Sequence, residues 1–394
     1  MDYQRLLASR TRLMQTNAIR EILKVVADPG IISLAGGIPS PESFPMDIFE
    51  ELTTRVISTH GSQAFQYDLT EGFIPLREQI SVLLEGRGIT IPPEAVNITS
   101  GSQGVLDAVA KLMIDKGDKI ALESPTYLGA ISAFNPYEPS YIAMETDEQG
   151  LIPESLEETL KTHDIKFIYL VPTFQNPTGR SLTLERRREI ARIIQAHNVL
   201  LIEDDPYSAL RYAGQDLPPI KTMAPDHVIY ISTLSKVFAP GLRIGFYAAP
   251  KFLRQWLVLV KQGVDLHTST FNQALAAEYL AGNYLATQLP KIIGLYKPRQ
   301  KAMMDALSRH LPQNFKVSPS DGGMFLWVTG PKGLDGLALY RKAIENGVAF
   351  VPGKFFYTDP DQGGETMRLN YTMADVPTLE RAVEKLGQAI RQME

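Results

Sequence analysis

The sequence predicts an α/β fold: a large domain with a mainly parallel sheet covered by helices, plus a smaller α+β domain. Two observations carry this. Between residues 96 and 231, short and nearly continuous apolar strands alternate with helical stretches, the pattern of a sheet buried on both faces. After about residue 290 the alternation gives way to a mixed order of helices and strands. A chain of 394 residues has room for two or three domains and an ample core. The expected division is a segment over 1–45 that joins the small domain, a large domain over 46–290 and a small domain over 291–394.

The elements follow in order. Ile19, Ile22, Leu23 and Val26 recur at i, i+3, i+4 and i+7, which predicts an amphipathic helix over 16–28. Pro29-Gly30 stops it. Ile31-Ile32-Ser33-Leu34 reads as a short strand entering the turn Gly36-Gly37-Ile38-Pro39, where backbone can approach a ligand closely. A helix over 47–59 leads into the large domain. The strand Val96-Asn97-Ile98-Thr99 then meets Ser100-Gly101-Ser102-Gln103-Gly104, and Val105, Leu106, Val109, Leu112 and Met113 share one face of the next helix. Further strands are expected at Lys119-Ile120-Ala121-Leu122-Glu123, Phe167-Ile168-Tyr169-Leu170-Val171, Val199-Leu200-Leu201-Ile202-Glu203 and Val228-Ile229-Tyr230-Ile231. The smaller domain is expected to hold helices over 299–310 and 337–345, strands near Gly323, Val348 and Met367, and a last helix over 376–391.

Composition narrows the function. Hydrophobic residues make up 44% and charged residues 21%, as in soluble globular proteins. A formal net charge of -5 gives no electrostatic reason to expect nucleic acid or an anionic membrane as partner. There is no cysteine, hence no disulfide, thiolate metal site or cysteine nucleophile. The six histidines are scattered without metal-ligand spacing, so no metal is expected. No run approaches the ~20 apolar residues of a membrane span, and a cytoplasmic location is expected.

Ligands of such sheets bind beyond the strand carboxyl ends, and five polar clusters lie there. Ser100-Gly101-Ser102-Gln103 opens a helix whose free N–H groups suit a phosphate, although an ordinary cap reads the same way. Pro172-Thr173-Phe174-Gln175-Asn176-Pro177-Thr178-Gly179 is a turn that fixes an amide at a strand end. Glu203-Asp204-Asp205-Pro206-Tyr207 stacks three acids on an apolar strand, which is costly unless a cation or strong donors compensate. Ser232-Thr233-Leu234-Ser235-Lys236 sets a lysine among small hydroxyls, with Arg243 just past Pro240-Gly241. Burial and a nearby cation disfavour the charge of such an amine, and an uncharged amine condenses with a carbonyl to give a Schiff base. Met367-Arg368-Leu369-Asn370-Tyr371 buries an arginine whose best geometric match is a carboxylate, in a ligand or in a structural salt bridge.

Together with Leu34-Ala35-Gly36-Gly37-Ile38-Pro39 and Gln66-Tyr67, these clusters stand in an order that resembles the fold type I pyridoxal-phosphate aminotransferases of class I/II. Within that group the chain looks most like the branch of 2-aminoadipate and kynurenine aminotransferases, and the resemblance runs from about Thr16 to near the C-terminus. It implies pyridoxal 5'-phosphate as cofactor, bound covalently by Lys236, whose freed amine would then move the substrate Cα proton. Asp204 would keep the ring nitrogen protonated, while Tyr207 and Asn176 would hydrogen-bond the ring oxygen. Tyr127 would stack on the ring, and Ser102, Gln103, Thr233, Ser235 and Arg243 would hold the phosphate. Arg368, with Asn176 and the Gly37 backbone, would take the substrate α-carboxylate. Tyr67 would reach the site of a second subunit, so a homodimer is the implied unit. Arg20 would pair with a distal carboxylate, which implies 2-aminoadipate and glutamate as donors, aromatic or branched apolar donors when Arg20 swings away, and 2-oxoglutarate as acceptor. Threonine at 233 and a tyrosine as stacking ring depart from the commoner serine and tryptophan.

Another reaction of the same cofactor, such as β-elimination or decarboxylation, is compatible with the same residues. An effector-sensing regulator built on this fold would need a DNA-binding region, and about fifteen residues precede the first matched helix. A nicotinamide dehydrogenase would need a Gly-x-Gly-x-x-Gly run after a strand, and the sequence has none.

Overall fold

The computed structural model describes residues 1, 3–14 and 28–393. The helix expected over 16–28 therefore lies, apart from Asp28, outside the described residues, and so does Arg20. The large sheet has seven strands: β1 (Val96–Ser100), β2 (Lys119–Glu123), β3 (Ser140–Met144), β4 (Ile165–Leu170), β5 (Leu201–Asp204), β6 (Val228–Thr233) and β7 (Ile244–Ala248). Their order is β1-β7-β6-β5-β4-β2-β3. All neighbours pair in parallel except β7, which is antiparallel to both β6 and β1.

Alternation along each strand explains why these runs are apolar throughout. Successive side chains point to opposite faces, and each face has its own core. Phe167, Tyr169, Ile202 and Ile229 pack into one, while Ile168, Leu170, Leu201 and Val228 pack into the other. Each such residue stabilises the fold by ~1.5–3 kcal/mol when fully buried, so no position can be polar without a partner.

Two strands of this sheet are not evident in the sequence. Ser140–Met144 lies at the edge and is half exposed, so it lacks the apolar run. Ile244–Ala248 is fully buried but carries a glycine and directly follows a Pro-Gly turn, which hides it. Being antiparallel, this second strand brings its amino end to the edge where the other strands end, with Ile244 opposite Ser100 and Gly245 opposite Thr233. Arg243, just before it, is placed at that edge.

The second sheet is antiparallel, with β8 (Lys316–Val317), β9 (Phe325–Thr329), β10 (Val351–Pro352) and β11 (Thr366–Asn370) in the order β8-β9-β11-β10. The helix expected over 299–310 is the last part of a 27-residue helix, Tyr284–His310, that packs against Val376–Arg391. The latter starts where expected because the Asp375 carboxylate accepts the Thr378 N–H at 2.9 Å, a side-chain cap. Residues 32–34 lie beside the second sheet. Ile32 and Ser33 pair in parallel with Val348 and Ala349, and Leu34 accepts the Asn370 N–H at 2.8 Å. Gly36 and Gly37 are thereby carried to the rim of the large sheet. No helix among the described residues is long and apolar enough to cross a membrane.

Candidate active site

A cavity of about 430 Å³ opens beyond the carboxyl ends of β1, β5 and β6. It brings together Gly37, Ser102, Gln103, Tyr127, Asn176, Asp204, Tyr207, Thr233, Ser235, Lys236, Arg243 and Arg368, all named from the sequence. Tyr67 is not among them. It is exposed, with its ring edge-on to His267 at 5.7 Å, in a separate surface depression.

Lys236 ends the short turn Leu234–Lys236 that follows β6. Thr233 shapes that turn: its hydroxyl accepts the Ser235 N–H at 3.1 Å and donates to the Ile244 carbonyl at 2.8 Å. The Lys236 ammonium donates to the Gly37 carbonyl at 3.1 Å. Burial, then Arg243 and Arg368, push its pKa down to about 8, because each disfavours a further positive charge. An appreciable fraction of the amine is therefore free near neutral pH.

Asp204 sits at the end of β5 with its side chain in this cavity, and it is buried. Tyr169 donates to its Oδ2 at 2.8 Å, while Oδ1 has no hydrogen-bond partner. Burial pushes the carboxyl up to about 7, the Tyr169 hydrogen bond opposes this, and the charge of Asp205 adds to it. Asp205 points the other way, where Tyr230 donates to it at 2.8 Å and Arg87 pairs with it at 3.3 Å. One acid of the pair is thus balanced within the protein and the other is left wanting a cation.

Arg368 reaches across from β11. It donates to Asn176 Oδ1 at 2.9 Å and to the Ala35 carbonyl at 2.8 Å, and its Nε has no partner. The rings of Phe325 and Phe356 lie 4.2 and 5.0 Å from the guanidinium. Burial lowers its pKa to about 10, and no carboxylate among the described residues forms an ion pair with it. Asn176 in turn donates to the Tyr207 hydroxyl at 3.3 Å. The loop that aims Asn176 is fixed by Gln175, which donates to the Pro125 carbonyl at 2.8 Å and accepts from Thr178. Tyr127, two residues past Pro125, lines the same cavity.

At the other end of the cavity the helix Ser102–Met113 begins, after Gly101 at φ +81°. A Cβ on Gly101 would run into the Arg243 guanidinium, and one on Gly245 would strike the Gly101 backbone. Two glycines therefore let β1 and β7 close into a cradle of N–H groups with Ser235 and Arg243 beside it. Gln103 donates to the Gly129 carbonyl at 2.7 Å, which ties the helix start to the Tyr127 segment. Tyr169 and the Ala35 carbonyl are site partners that the sequence does not announce. A lone phenol on one face of an otherwise apolar strand is the available signal for Tyr169. Nothing in the sequence marks a backbone carbonyl.

The donor set asks for a ligand with an anion at one end, a cationic ring edge at the other and a carbonyl near Lys236. Pyridoxal phosphate has all three, and the orphaned oxygen of Asp204 and the glycine cradle fit it. The comparison with known proteins agrees. The family model described as aminotransferase class I and II matches residues 31–386, and the chain belongs to that family. It is a pyridoxal-phosphate-dependent aminotransferase of fold type I. The aromatic-amino-acid aminotransferase 1 of Thermococcus litoralis is 41% identical over 401 residues, covering 100% of this chain and 95% of that protein. The kynurenine aminotransferase of Pyrococcus horikoshii, solved in complex with PMP, superposes with a TM-score of 0.96 at 39% identity, covering 100% and 98% of the two chains. The alpha-aminoadipate aminotransferase of Thermus thermophilus, solved with N-(5'-phosphopyridoxyl)-L-leucine, gives 0.92 at 37% identity, covering 100% and 99%.

Proposed function

We propose that this aminotransferase takes both acidic and apolar or aromatic L-amino acids as donors, with 2-oxoglutarate as acceptor, and works as a cytoplasmic homodimer. When bound, pyridoxal phosphate supplies a carbonyl that accepts the amino group and a ring that takes up electrons. The chain supplies the rest. Lys236 would hold the cofactor, and its amine would take the proton from the substrate Cα. Asp204 keeps the ring nitrogen protonated, and Tyr207 with Asn176 holds the ring oxygen. Tyr127 covers the ring. Ser102, Gln103, Ser235 and Arg243 hold the phosphate end, with Thr233 shaping the turn. Arg368, Asn176 and the Gly37 backbone orient the α-carboxylate, which every donor shares.

One observation carries the substrate reading. The three cations lining the cavity, Lys236, Arg243 and Arg368, would be taken up by the cofactor and the α-carboxylate, and the remaining wall includes the uncharged Ile38, Leu128 and Ser132. Such a wall admits an apolar side chain. A distal carboxylate needs a cation from elsewhere, and Arg20 is that cation in this reading. The relatives named above act, by their names, on aromatic donors, kynurenine and alpha-aminoadipate, and the leucine adduct in the last supports a wall open to apolar chains. The homodimer reading is supported by exposed Phe65, Tyr67 and Leu69 and by Phe252, Trp256, Leu259 and Val264 on the helix Lys251–Asp265, since large apolar side chains grouped at a surface mark an interface. The division of the chain at 1–45, 46–290 and 291–394 belongs to the same proposal.

The test is kcat/KM for Arg20→Ala with 2-aminoadipate and with phenylalanine. Losing a charge-assisted pair should cost about 1.5–3 kcal/mol, roughly a tenfold to hundredfold fall, for the acidic donor alone. Equal losses for both donors, or none for either, would remove Arg20 from the substrate site.

A further inference from the structure

The Asp204 carboxylate has one oxygen occupied and one free, and the occupant is not arbitrary. Tyr169 on β4 is in register with Ile202 on β5, and Asp204 lies two residues further along the same face. The phenol therefore meets Oδ2, at 2.8 Å, with both side chains buried. Phe134 packs edge-on against the Tyr169 ring, centroids 5.9 Å apart at 84°, so packing supports the placement of the hydroxyl that the register sets. The neighbouring acid is treated differently: Asp205 receives a phenol from Tyr230 and also a cation from Arg87. Each carboxylate has a tyrosine, and only Asp205 has an arginine.

We infer that Tyr169 is a positioning residue for the cofactor, occupying Oδ2 so that Oδ1 faces the ring nitrogen and the shared proton stays on the ring. The inference rests on the reading of Asp204 as the partner of that nitrogen. A donated hydrogen bond stabilises the charged carboxylate and so lowers its own hold on the proton. A phenol suits the task because burial and the Asp204 charge push its ionisation well above 10. It donates without ever competing as an anion.

The test uses full-length protein, stripped and reloaded with either pyridoxal phosphate or a carbocyclic analogue that carries C–H in place of the ring nitrogen. Tyr169→Phe should weaken pyridoxal phosphate about tenfold, the size of one hydrogen bond to a charged group, and leave the carbocyclic analogue unchanged. In the reloaded enzyme, the NMR signal of an isotope-labelled ring nitrogen should move toward its unprotonated position. Equal losses for the two cofactors, or no loss with an unmoved nitrogen signal, would overturn the role of Tyr169. Failure of the unmodified protein to prefer pyridoxal phosphate over the analogue would instead overturn the reading of Asp204. Should the phenylalanine variant not fold, the Tyr169 hydroxyl proton is read in the unmodified holoenzyme. A persistent low-field, hydrogen-bonded signal is expected, and its loss on loading the cofactor would overturn the inference.

Discussion

Asp204 and Asp205 are chemically identical neighbours whose surroundings give them opposite tasks. Asp205 is paired with Arg87 and Tyr230, whereas Asp204 is buried with one oxygen unpartnered. Asp204→Asn should therefore slow transamination by ~10²–10⁴-fold, the range in which correct protonation operates, and Asp205→Asn should affect it far less. The same contrast predicts a stability effect in cofactor-free protein. Burial raises the Asp204 carboxyl to about 7, so between about pH 4 and 7 the folded state holds a proton that the unfolded state has lost. Its contribution is fully present below pH 4 and is lost as pH rises through 7. Asparagine never ionises, so at pH 8 cofactor-free Asp204→Asn should be more stable than the unmodified chain by on the order of 3 kcal/mol. At pH 4 the difference should vanish. Denaturant unfolding at the two pH values measures it, and an unmodified chain that is the more stable at pH 8 would refute the claim that this carboxylate awaits a cation.

At the scale of elements, the cradle depends on a strand that runs against the others. β7 delivers Arg243 to the site because its amino end lies where β1 and β6 finish. Gly101→Ala adds a Cβ inside the Arg243 guanidinium at a φ of +81°. A strain of ~1–3 kcal/mol should appear as a weakening of cofactor binding by roughly tenfold to a hundredfold. Gly294→Ala, in the long helix with open space at its Cβ, should leave cofactor affinity unchanged and add ~0.5–1 kcal/mol of stability. Equal cofactor affinities in the two variants, read by equilibrium dialysis, would contradict the cradle. The inner parallel strands are legible because burial on both faces forces apolar runs. The edge strand β3 is not, because it is half exposed. The strand-end clusters are legible because polar residues there break those runs. β7 is not legible, since a glycine and a preceding Pro-Gly turn mask it. Tyr169 is not legible as a site residue either, because its hydroxyl is set by the β4–β5 register and register is invisible without the pairing.

At the scale of the molecule, three distant parts of the chain converge on one side chain. Arg368 from the second sheet donates to Ala35 in the N-terminal segment and to Asn176 above the large sheet. The exposed Tyr67, which lies outside the Lys236 cavity of its own chain, makes sense if it completes the site of a second copy. Mixing Lys236→Ala with Tyr67→Ala, after exchange of subunits, places both lesions in one site and leaves the other intact. Activity above that of either parent is expected. Activity equal to their mean would confine each site to one chain.

If Lys236, Asp204 and Arg368 form one transamination site, a pair of half-reactions followed by the visible absorbance of the bound cofactor shows it directly. L-Glutamate alone should convert the enzyme from its aldehyde form to its amine form in a single turnover, with one equivalent of 2-oxoglutarate released. Added 2-oxoglutarate should restore the first spectrum, and Lys236→Ala should do neither at more than a trace of the rate. Continuous turnover of the amino acid without an oxo acid, or half-reactions that survive in Lys236→Ala, would contradict the account.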